Sequence, residues 1–156
     1  MLDLEIPGWG SYHFSAAVFD LNGTLAQNGR LAASTRAKLS ELGQRLALYV
    51  ISADTHGTLA EVIAGLPLQA RRLQDVLGAE EKRRLVLALG AEHTIAVGNG
   101  RNDAAMLRQA ALGIAILGAE GVAVETLLAA DVVFPHIDEA LESLLHPRRL
   151  LATLRG

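Results

Sequence analysis

Four groups of polar residues in this sequence have the side chains and the spacing needed to bind and transfer a phosphoryl group. Asp20 ends one apolar segment, Ser52 ends a second, Lys82 lies early in a charged segment, and residues 99–103 (NGRND) follow a third apolar segment. A carboxylate can act as a nucleophile and form an acyl phosphate. A hydroxyl and an ammonium group can hold the negative oxygens that develop on phosphorus.

The same groups contain oxygen donors for a hard cation. Asn99 and Asp103 offer amide and carboxylate oxygens, which are the ligands that Mg²⁺ prefers. The glycine of residues 21–25 (LNGTL) lets the backbone approach a phosphate closely. We therefore expect Mg²⁺ as the cofactor.

Each position alone also has a plain structural interpretation. Asp20 could be a turn cap, and Lys82 could lie on a solvated helix face among its charged neighbours. Asn102 could simply be the N-cap of the helix that follows the turn. Only the combination of these positions favours a phosphoryl-transfer site.

Alternating strands and helices predict how these residues are brought together. Leu2, Leu4 and Ile6 alternate with acidic residues before Pro7-Gly8, which predicts an N-terminal β-hairpin. Strands are then predicted at 16–20, 46–52, 68–73, 94–98, 112–117 and 131–135, and helices at 35–46 (N-cap Ser34), 55–66, 79–90, 104–110, 121–130 and 138–155. This order predicts a three-layer α/β fold with a doubly wound, Rossmann-like parallel sheet, forming one domain over 1–156. Its ligand site is expected at the carboxyl ends of the strands.

Composition excludes several classes of function. The 156 residues include no cysteine, which removes disulfides, thiolate catalysis and cysteine metal sites. The net charge is -3 and the basic residues are scattered, so we expect no nucleic acid partner. No apolar run has the length of a membrane span, and the N-terminus lacks a signal-peptide pattern. We expect a cytoplasmic protein with no membrane partner.

The motifs DLNGTL, ISAD and GNGRND, together with Lys82, resemble in this order the four motifs of the haloacid dehalogenase superfamily. Within that superfamily the chain is most similar to the phosphorylation domain of P-type ATPases, including the segment that begins AALGIAIL. It resembles the small, soluble hydrolases of that group. The resemblance implies a phosphohydrolase that acts through an aspartyl phosphate.

The resemblance also implies roles for individual residues. Asp20 is the nucleophile, and it binds Mg²⁺ together with the carbonyl oxygen of Asn22, while Ser52 and Lys82 hold the phosphate. Asn99 and Asp103 complete the metal site. The residues around these groups are expected to contact the substrate, and they are Leu21, Gly23, Thr24, Ala53, Asp54 and Asn102.

No segment is long enough to form a cap domain over such a site. The stretches 22–34 and 52–82 can hold only a flap, one helix and one short strand. An open site suits a bulky substrate, or one that a neighbouring subunit covers in a homo-oligomer. The expected partner is a small phosphorylated substrate or a phosphorylated macromolecule.

Two departures from the family pattern bear on the rate. Phosphatases of the superfamily carry an acid–base Asp where this chain has Asn22, and an amide cannot exchange a proton at useful pH. We expect slow hydrolysis of the phosphoenzyme. Asn99 replaces a second Asp, which predicts weaker metal binding. His56 is a candidate replacement base, although an exposed loop histidine is the simpler interpretation.

Other classes of protein fit less well. The two Asn replacements favour a non-catalytic module that keeps the fold and binds a phosphorylated ligand, and this alternative stays open. A receiver domain needs an acidic pair at the first strand. A dinucleotide site needs a third glycine near the start, and a serine hydrolase needs a G-x-S-x-G elbow.

Overall fold

A parallel six-stranded sheet lies at the centre of the computed structural model, which describes residues 1–53, 58–75 and 77–156. An antiparallel hairpin, β1 (Leu2–Ile6) and β2 (Gly10–Phe14), precedes it, as predicted. The sheet strands are β3 (Ala16–Asp20), β4 (Ala47–Ser52), β5 (Leu68–Arg72), β6 (Thr94–Gly98), β7 (Leu112–Ile116) and β8 (Val132–Phe134). The α-helices are α1 (Ala33–Leu42), α2 (Leu59–Val62), α3 (Ala79–Ala88), α4 (Ala104–Gln109), α5 (Val124–Ala129), α6 (Ile137–Leu145) and α7 (Arg148–Leu154).

The strand order is that of a doubly wound sheet, β5-β4-β3-β6-β7-β8. The chain moves outward from β3 through β4 to β5, returns to the other side of β3 at β6, and then continues to β8. The direction of winding reverses between β3 and β6, and ligands bind at such switch points beyond the carboxyl ends of the strands. Asp20 ends β3, and Asn99 directly follows β6.

Helices cover both faces of the sheet, which confirms the predicted three layers. Alternate residues of β3 point to opposite faces: Val18 packs with Met106 of α4, and Phe19 packs with Leu39 of α1 and Leu141 of α6. All five of these side chains are fully buried. Central strands of a parallel sheet are covered on both sides, which explains why the strands are apolar throughout.

Several helix boundaries differ from the prediction. The first helix begins at Ala33, with Ala32 as its N-cap, so Ser34 lies inside the first turn. The described part of the segment predicted as helix 55–66 is helical only over Leu59–Val62. The predicted C-terminal helix is divided into α6 and α7 at Pro147, because proline has no N–H to continue the hydrogen-bonding pattern. Among the described helices, none is both long enough and apolar enough to cross a lipid bilayer.

Candidate active site

The ammonium group of Lys82 forms the centre of the candidate site. Its Nζ donates hydrogen bonds to Asp20 Oδ1 at 2.7 Å and to Asp103 Oδ1 at 2.6 Å. Only 1% of the Lys82 side chain is exposed. The solvated-face interpretation of this lysine is therefore wrong: among the charged residues of α3, Lys82 points inward while Glu80 and Arg84 stay at the surface.

Burial and charge determine the electrostatics of Asp20. The pKa of its carboxyl group is raised from 3.8 to about 6, first because burial penalises the carboxylate and second because Asp103 adds a like charge. Lys82 and the backbone N–H of Leu21 act in the opposite direction. Burial and the charge of Asp103 therefore disfavour the ionised form of the Asp20 carboxyl group.

Two carboxylates keep Lys82 charged in this buried position. Burial by itself would lower the pKa of Lys82, but the negative charges of Asp20 and Asp103 outweigh that effect and raise it above the ordinary value. The two carboxylates and the one ammonium group leave a net charge of -1 when all three are ionised. The cluster can therefore still attract a cation.

The turn after β6 is organised around Asp103. Its Oδ2 accepts the backbone N–H groups of Asn99 and Gly100, each at 2.9 Å, and Oδ1 accepts from Lys82. Gly98 is required beside it, because a Cβ there would lie 2.5 Å from Asp103 Cβ. Asp103 thus fixes both the turn and the lysine. Of its two carboxylate oxygens, Oδ1 is the one that can still accept a further bond.

The loop after β3 brings Thr24 between the two halves of the site. Leu21 is buried, and its carbonyl oxygen accepts the N–H groups of Thr24 at 3.3 Å and Ala26 at 2.8 Å, which closes a tight turn. The Thr24 hydroxyl donates to Asn99 Oδ1 at 3.1 Å and lies 3.4 Å from Asp20 Oδ2. The loop therefore links the ends of β3 and β6.

The other predicted residues lie around this centre at different distances. Ser52 is buried at the end of β4, one residue beyond Ile51, which is the register partner of Asp20. Ala53 follows it and packs partly against the core. Asp54 and His56 lie outside the described residues, so their predicted roles stay predictions.

Asn22 and Asn102 lie at the periphery. Asn22 is exposed on the loop after β3. Asn102 lies in a short 3-10 helix (Arg101–Asp103) beside Gly100, and Asp103 rather than Asn102 is the N-cap of α4. The N-cap interpretation of Asn102 is therefore wrong, and a substrate contact by this residue stays a prediction.

The residues present fit a hard cation such as Mg²⁺. Asp20 Oδ2 and Asn99 Oδ1 flank the hydroxyl of Thr24, so a carboxylate and an amide oxygen face the same space. In the described part of the chain, no three His, Asp or Glu side chains are arranged as a metal cage. Mg²⁺ commonly takes only one or two carboxylates and keeps several waters, so this donor set suits it.

Two residues near the centre were missed by sequence reasoning. Glu120, in the loop between β7 and α5, places its carboxylate against Gly23 and near Asn99. Thr126 of α5 is fully buried and donates a hydrogen bond to the carbonyl oxygen of Gly100. Both residues lie in the segment that begins AALGIAIL, and the two glycines around Glu120, Gly118 and Gly121, adopt positive φ.

The chain has the fold of the haloacid dehalogenase superfamily, as similar solved structures show. Similar solved structures are phosphatases of that superfamily, and the likeness extends over about nine tenths of this chain. The α/β fold and the superfamily resemblance predicted from the sequence are thereby confirmed.

Three solved structures show the extent of the similarity. The 3-deoxy-D-manno-octulosonate 8-phosphate phosphatase of Moraxella catarrhalis, solved with magnesium and phosphate ions, has a TM-score of 0.71 at 17% identity and covers 90% of this chain and 91% of its own. The cobalt-bound deoxy-D-mannose-octulosonate 8-phosphate phosphatase of Haemophilus influenzae has a TM-score of 0.72 at 15% identity, covering 92% and 90%. A superfamily phosphatase of Bacteroides thetaiotaomicron has a TM-score of 0.63 at 12% identity, covering 86% and 95%. At such low sequence identity, this structural similarity establishes the fold alone.

Sequence similarity adds little about function. No protein-family model matches the chain. A protein of Methanocaldococcus jannaschii described as uncharacterized is 48% identical over 61 residues, which are 39% of this chain and 66% of that protein. The chain thus spans slightly less than two thirds of this relative. The specific similarity to P-type ATPases stays a prediction from the motifs.

Proposed function

We propose that this protein is a Mg²⁺-dependent phosphohydrolase that transfers the phosphoryl group of a phosphomonoester to Asp20 and then hydrolyses the aspartyl phosphate. One observation carries the proposal: the Asp20 carboxylate ends the first sheet strand at the switch point and is held there by the buried ammonium group of Lys82, 2.7 Å away. The phosphatases with the same fold support this choice of reaction.

The first step needs a nucleophile and a set of positive and hydrogen-bonding groups. A carboxylate oxygen of Asp20 attacks phosphorus, the bond from phosphorus to the leaving oxygen breaks, and that oxygen takes a proton from solvent. Lys82 offsets negative charge at Asp20 and at the transferring group, and Ser52 donates to a phosphoryl oxygen. Bound Mg²⁺, held by Asp20, the Asn22 carbonyl oxygen, Asn99 and Asp103, supplies charge neutralisation.

The second step is the slow one in this proposal. Water attacks the phosphorus of the aspartyl phosphate, the bond to the Asp20 oxygen breaks, and inorganic phosphate leaves. The attacking water must lose a proton, which passes to solvent because Asn22 cannot accept it. General base catalysis is typically worth ~10²–10⁴ in rate, so the phosphoenzyme should accumulate during turnover.

The substrate class follows from the openness of the site. The loop after β3 spans residues 21–32, the described part of the segment between β4 and α3 holds only α2 and β5, and Asn22 is exposed. We propose a small phosphorylated compound or a phosphorylated macromolecule as the substrate. The sugar-acid phosphates named for the Moraxella and Haemophilus enzymes belong to the first group and are the compounds to screen first.

A phosphate-binding module without turnover is the second candidate. The observation in its favour is that amides stand at positions 22 and 99, where the superfamily pattern has carboxylates. Such a module would bind a phosphorylated ligand through Lys82 and Ser52 and release it unchanged.

Hydrolysis of p-nitrophenyl phosphate distinguishes the two candidates. Its activated leaving group needs no proton from position 22. We expect slow release of p-nitrophenol that requires Mg²⁺ and is lost in Asp20→Asn. Release that is absent with every divalent metal, or unchanged in Asp20→Asn, would contradict the proposal and favour the binding module.

A further inference from the structure

The carboxylate of Glu120 lies beside Gly23 and the side-chain nitrogen of Asn99, outside the four superfamily motifs. A Cβ built on Gly23 would lie 2.4 Å from Glu120 Oε2 and 2.6 Å from Asn99 Nδ2. The Glu120 carboxylate and the Asn99 side-chain nitrogen therefore both lie close to the same position beside Gly23, and they are near neighbours. Glu120 reaches this position from the loop between β7 and α5, which also brings Gly118 against the carbonyl oxygen of Gly23.

The Asn99 amide is oriented so that its oxygen faces the site. Its Nδ2 donates to the carbonyl oxygen of Gly121 at 3.1 Å, and its Oδ1 accepts from Thr24. Asn99 thus offers the site an oxygen without charge, and its nitrogen side faces the loop that carries Glu120.

The Glu120 carboxylate is not held in place by a partner among the described residues. Within the described ranges its carboxylate accepts no hydrogen bond and forms no ion pair, and the residue is exposed. Among the described carboxylates of the site, Asp20 and Asp103 both bind Lys82. Glu120 therefore has all its acceptor capacity available for a cation or for water bound to one.

Charge explains what this carboxylate would contribute. Asp20 and Asp103 share one ammonium group, so the cluster presents a net charge of -1, and Asn99 adds none. The described groups balance only half of the charge of a divalent cation. The Glu120 carboxylate would bring their charge to -2, and because Glu120 is exposed, its attraction for a cation is screened by salt.

We propose that Glu120 supplies the negative charge that Asn99 lacks, as an additional ligand of Mg²⁺ that acts directly or through one bound water. This inference rests on the proposed function, because it concerns the cation of the same site. It assigns to the loop between β7 and α5 a role in metal binding.

The test is Mg²⁺ binding to the metal-free protein, measured by titration calorimetry. Glu120→Gln keeps the size of the side chain and an acceptor oxygen and removes only the charge. We expect it to weaken Mg²⁺ binding about tenfold, which is the typical effect of removing an outer-shell partner. Glu41→Gln, the same change at an exposed position of α1, should bind Mg²⁺ like the parent protein.

Asp20→Asn separates failure of this inference from failure of the proposed function. If Glu120→Gln binds Mg²⁺ normally while Asp20→Asn binds it weakly, the role of Glu120 is overturned and the cation site stands. If Asp20→Asn also binds normally, the cation lies elsewhere and both proposals fall. Circular dichroism melts of the metal-free variants check that each one is folded.

Discussion

The Nζ atom of Lys82 lies 2.7 Å from Asp20 Oδ1, although the two residues are 62 positions apart in the chain. The contact joins the end of the first sheet strand to the beginning of α3. It places a buried positive charge on one oxygen of the candidate nucleophile and leaves the other oxygen facing Thr24. This ion pair fixes the orientation of the Asp20 carboxylate, and the proposed phosphoryl transfer depends on that orientation.

Replacement of Lys82 by methionine should affect stability and activity together. Methionine keeps most of the volume but leaves the carboxylates of Asp20 and Asp103 facing each other without a cation. Breaking a buried ion pair in this way typically costs about 3–5 kcal/mol. Chemical denaturation of the metal-free protein would measure the loss, and p-nitrophenyl phosphate hydrolysis should fall by at least ~10².

Arg84→Met is the matched control on the same helix. Arg84 is 72% exposed and, among the described residues, pairs only with Glu80 at the surface, so its removal should leave both stability and hydrolysis unchanged. Equal effects of the two substitutions would contradict the central position of Lys82.

Asp20→Asn should stabilise the metal-free protein in a pH-dependent way. The folded-state pKa of Asp20, about 6, lies above the ordinary value of 3.8, so the folded state binds this proton more tightly than the unfolded state does. The stabilisation that the neutral carboxyl group contributes is complete below pH 3.8 and is lost as the pH rises through 6. The shift corresponds to about 3 kcal/mol.

The measurement compares thermal unfolding of both proteins in a chelator at pH 4 and at pH 7.5. We expect Asp20→Asn to gain in melting temperature over the parent protein, and the gain to be larger at pH 7.5. A difference that does not change with pH would contradict the raised pKa.

The fold was largely predictable because its signals are local. Apolar strands alternate with helices, and this order alone predicts a parallel sheet with ligands at its carboxyl edge. Asp20 and Ser52 are the last residues of their strands, and Asn99 is the first residue after its strand. The parallel sheet therefore places all three at its carboxyl edge. The helix boundaries were less accurate, because Ala32 rather than a polar residue precedes α1 and packing rather than capping determines where that helix begins.

The parts of the site that were not predicted arise from tertiary packing. The charges around Lys82 suggest a solvated helix, and only the packing of α3 beside the sheet turns this one side chain inward. Glu120 is exposed and lies in a connecting loop, so nothing local marks it. Its proximity to Gly23 arises because the loops after β3 and β7 meet above the sheet.

Gly23→Ala should disturb the site beyond its effect on the backbone. Gly23 has φ +79°, and a Cβ there would collide with Glu120 Oε2 and Asn99 Nδ2. We expect Mg²⁺ affinity to fall at least tenfold, because both side chains must move. Calorimetric titration of the folded variant with Mg²⁺ gives the result.

Gly29→Ala provides the control for backbone strain. Gly29 lies in the same segment with φ +72°, and a Cβ there meets nothing within 4 Å. It should cost roughly 1 kcal/mol of stability, the usual effect of alanine at positive φ, and leave Mg²⁺ binding intact. Loss of Mg²⁺ affinity in both variants would mean that strain, and not crowding of Glu120, is responsible.

Asn22→Asp should accelerate hydrolysis of the phosphoenzyme. The new carboxyl group stands at the mouth of the site, where it can take a proton from the attacking water. We expect the rate of that step to rise by roughly 10²-fold or more. Decay of isolated phosphoenzyme in single turnover would show it, with Asn28→Asp as the same change elsewhere in the loop. A decay rate no faster than that of the parent protein would argue against Asn22 as the reason for slow turnover.

The most direct test of the account is detection of the phosphoryl group on Asp20. The protein would be incubated with Mg²⁺ and radiolabelled acetyl phosphate, quenched in acid, and tested for label that hydroxylamine removes. We predict covalent label in the parent protein, its absence without Mg²⁺, and its absence in Asp20→Asn. Label that persists in Asp20→Asn, or phosphate release from a phosphomonoester without any labelled intermediate, would contradict phosphoryl transfer through Asp20.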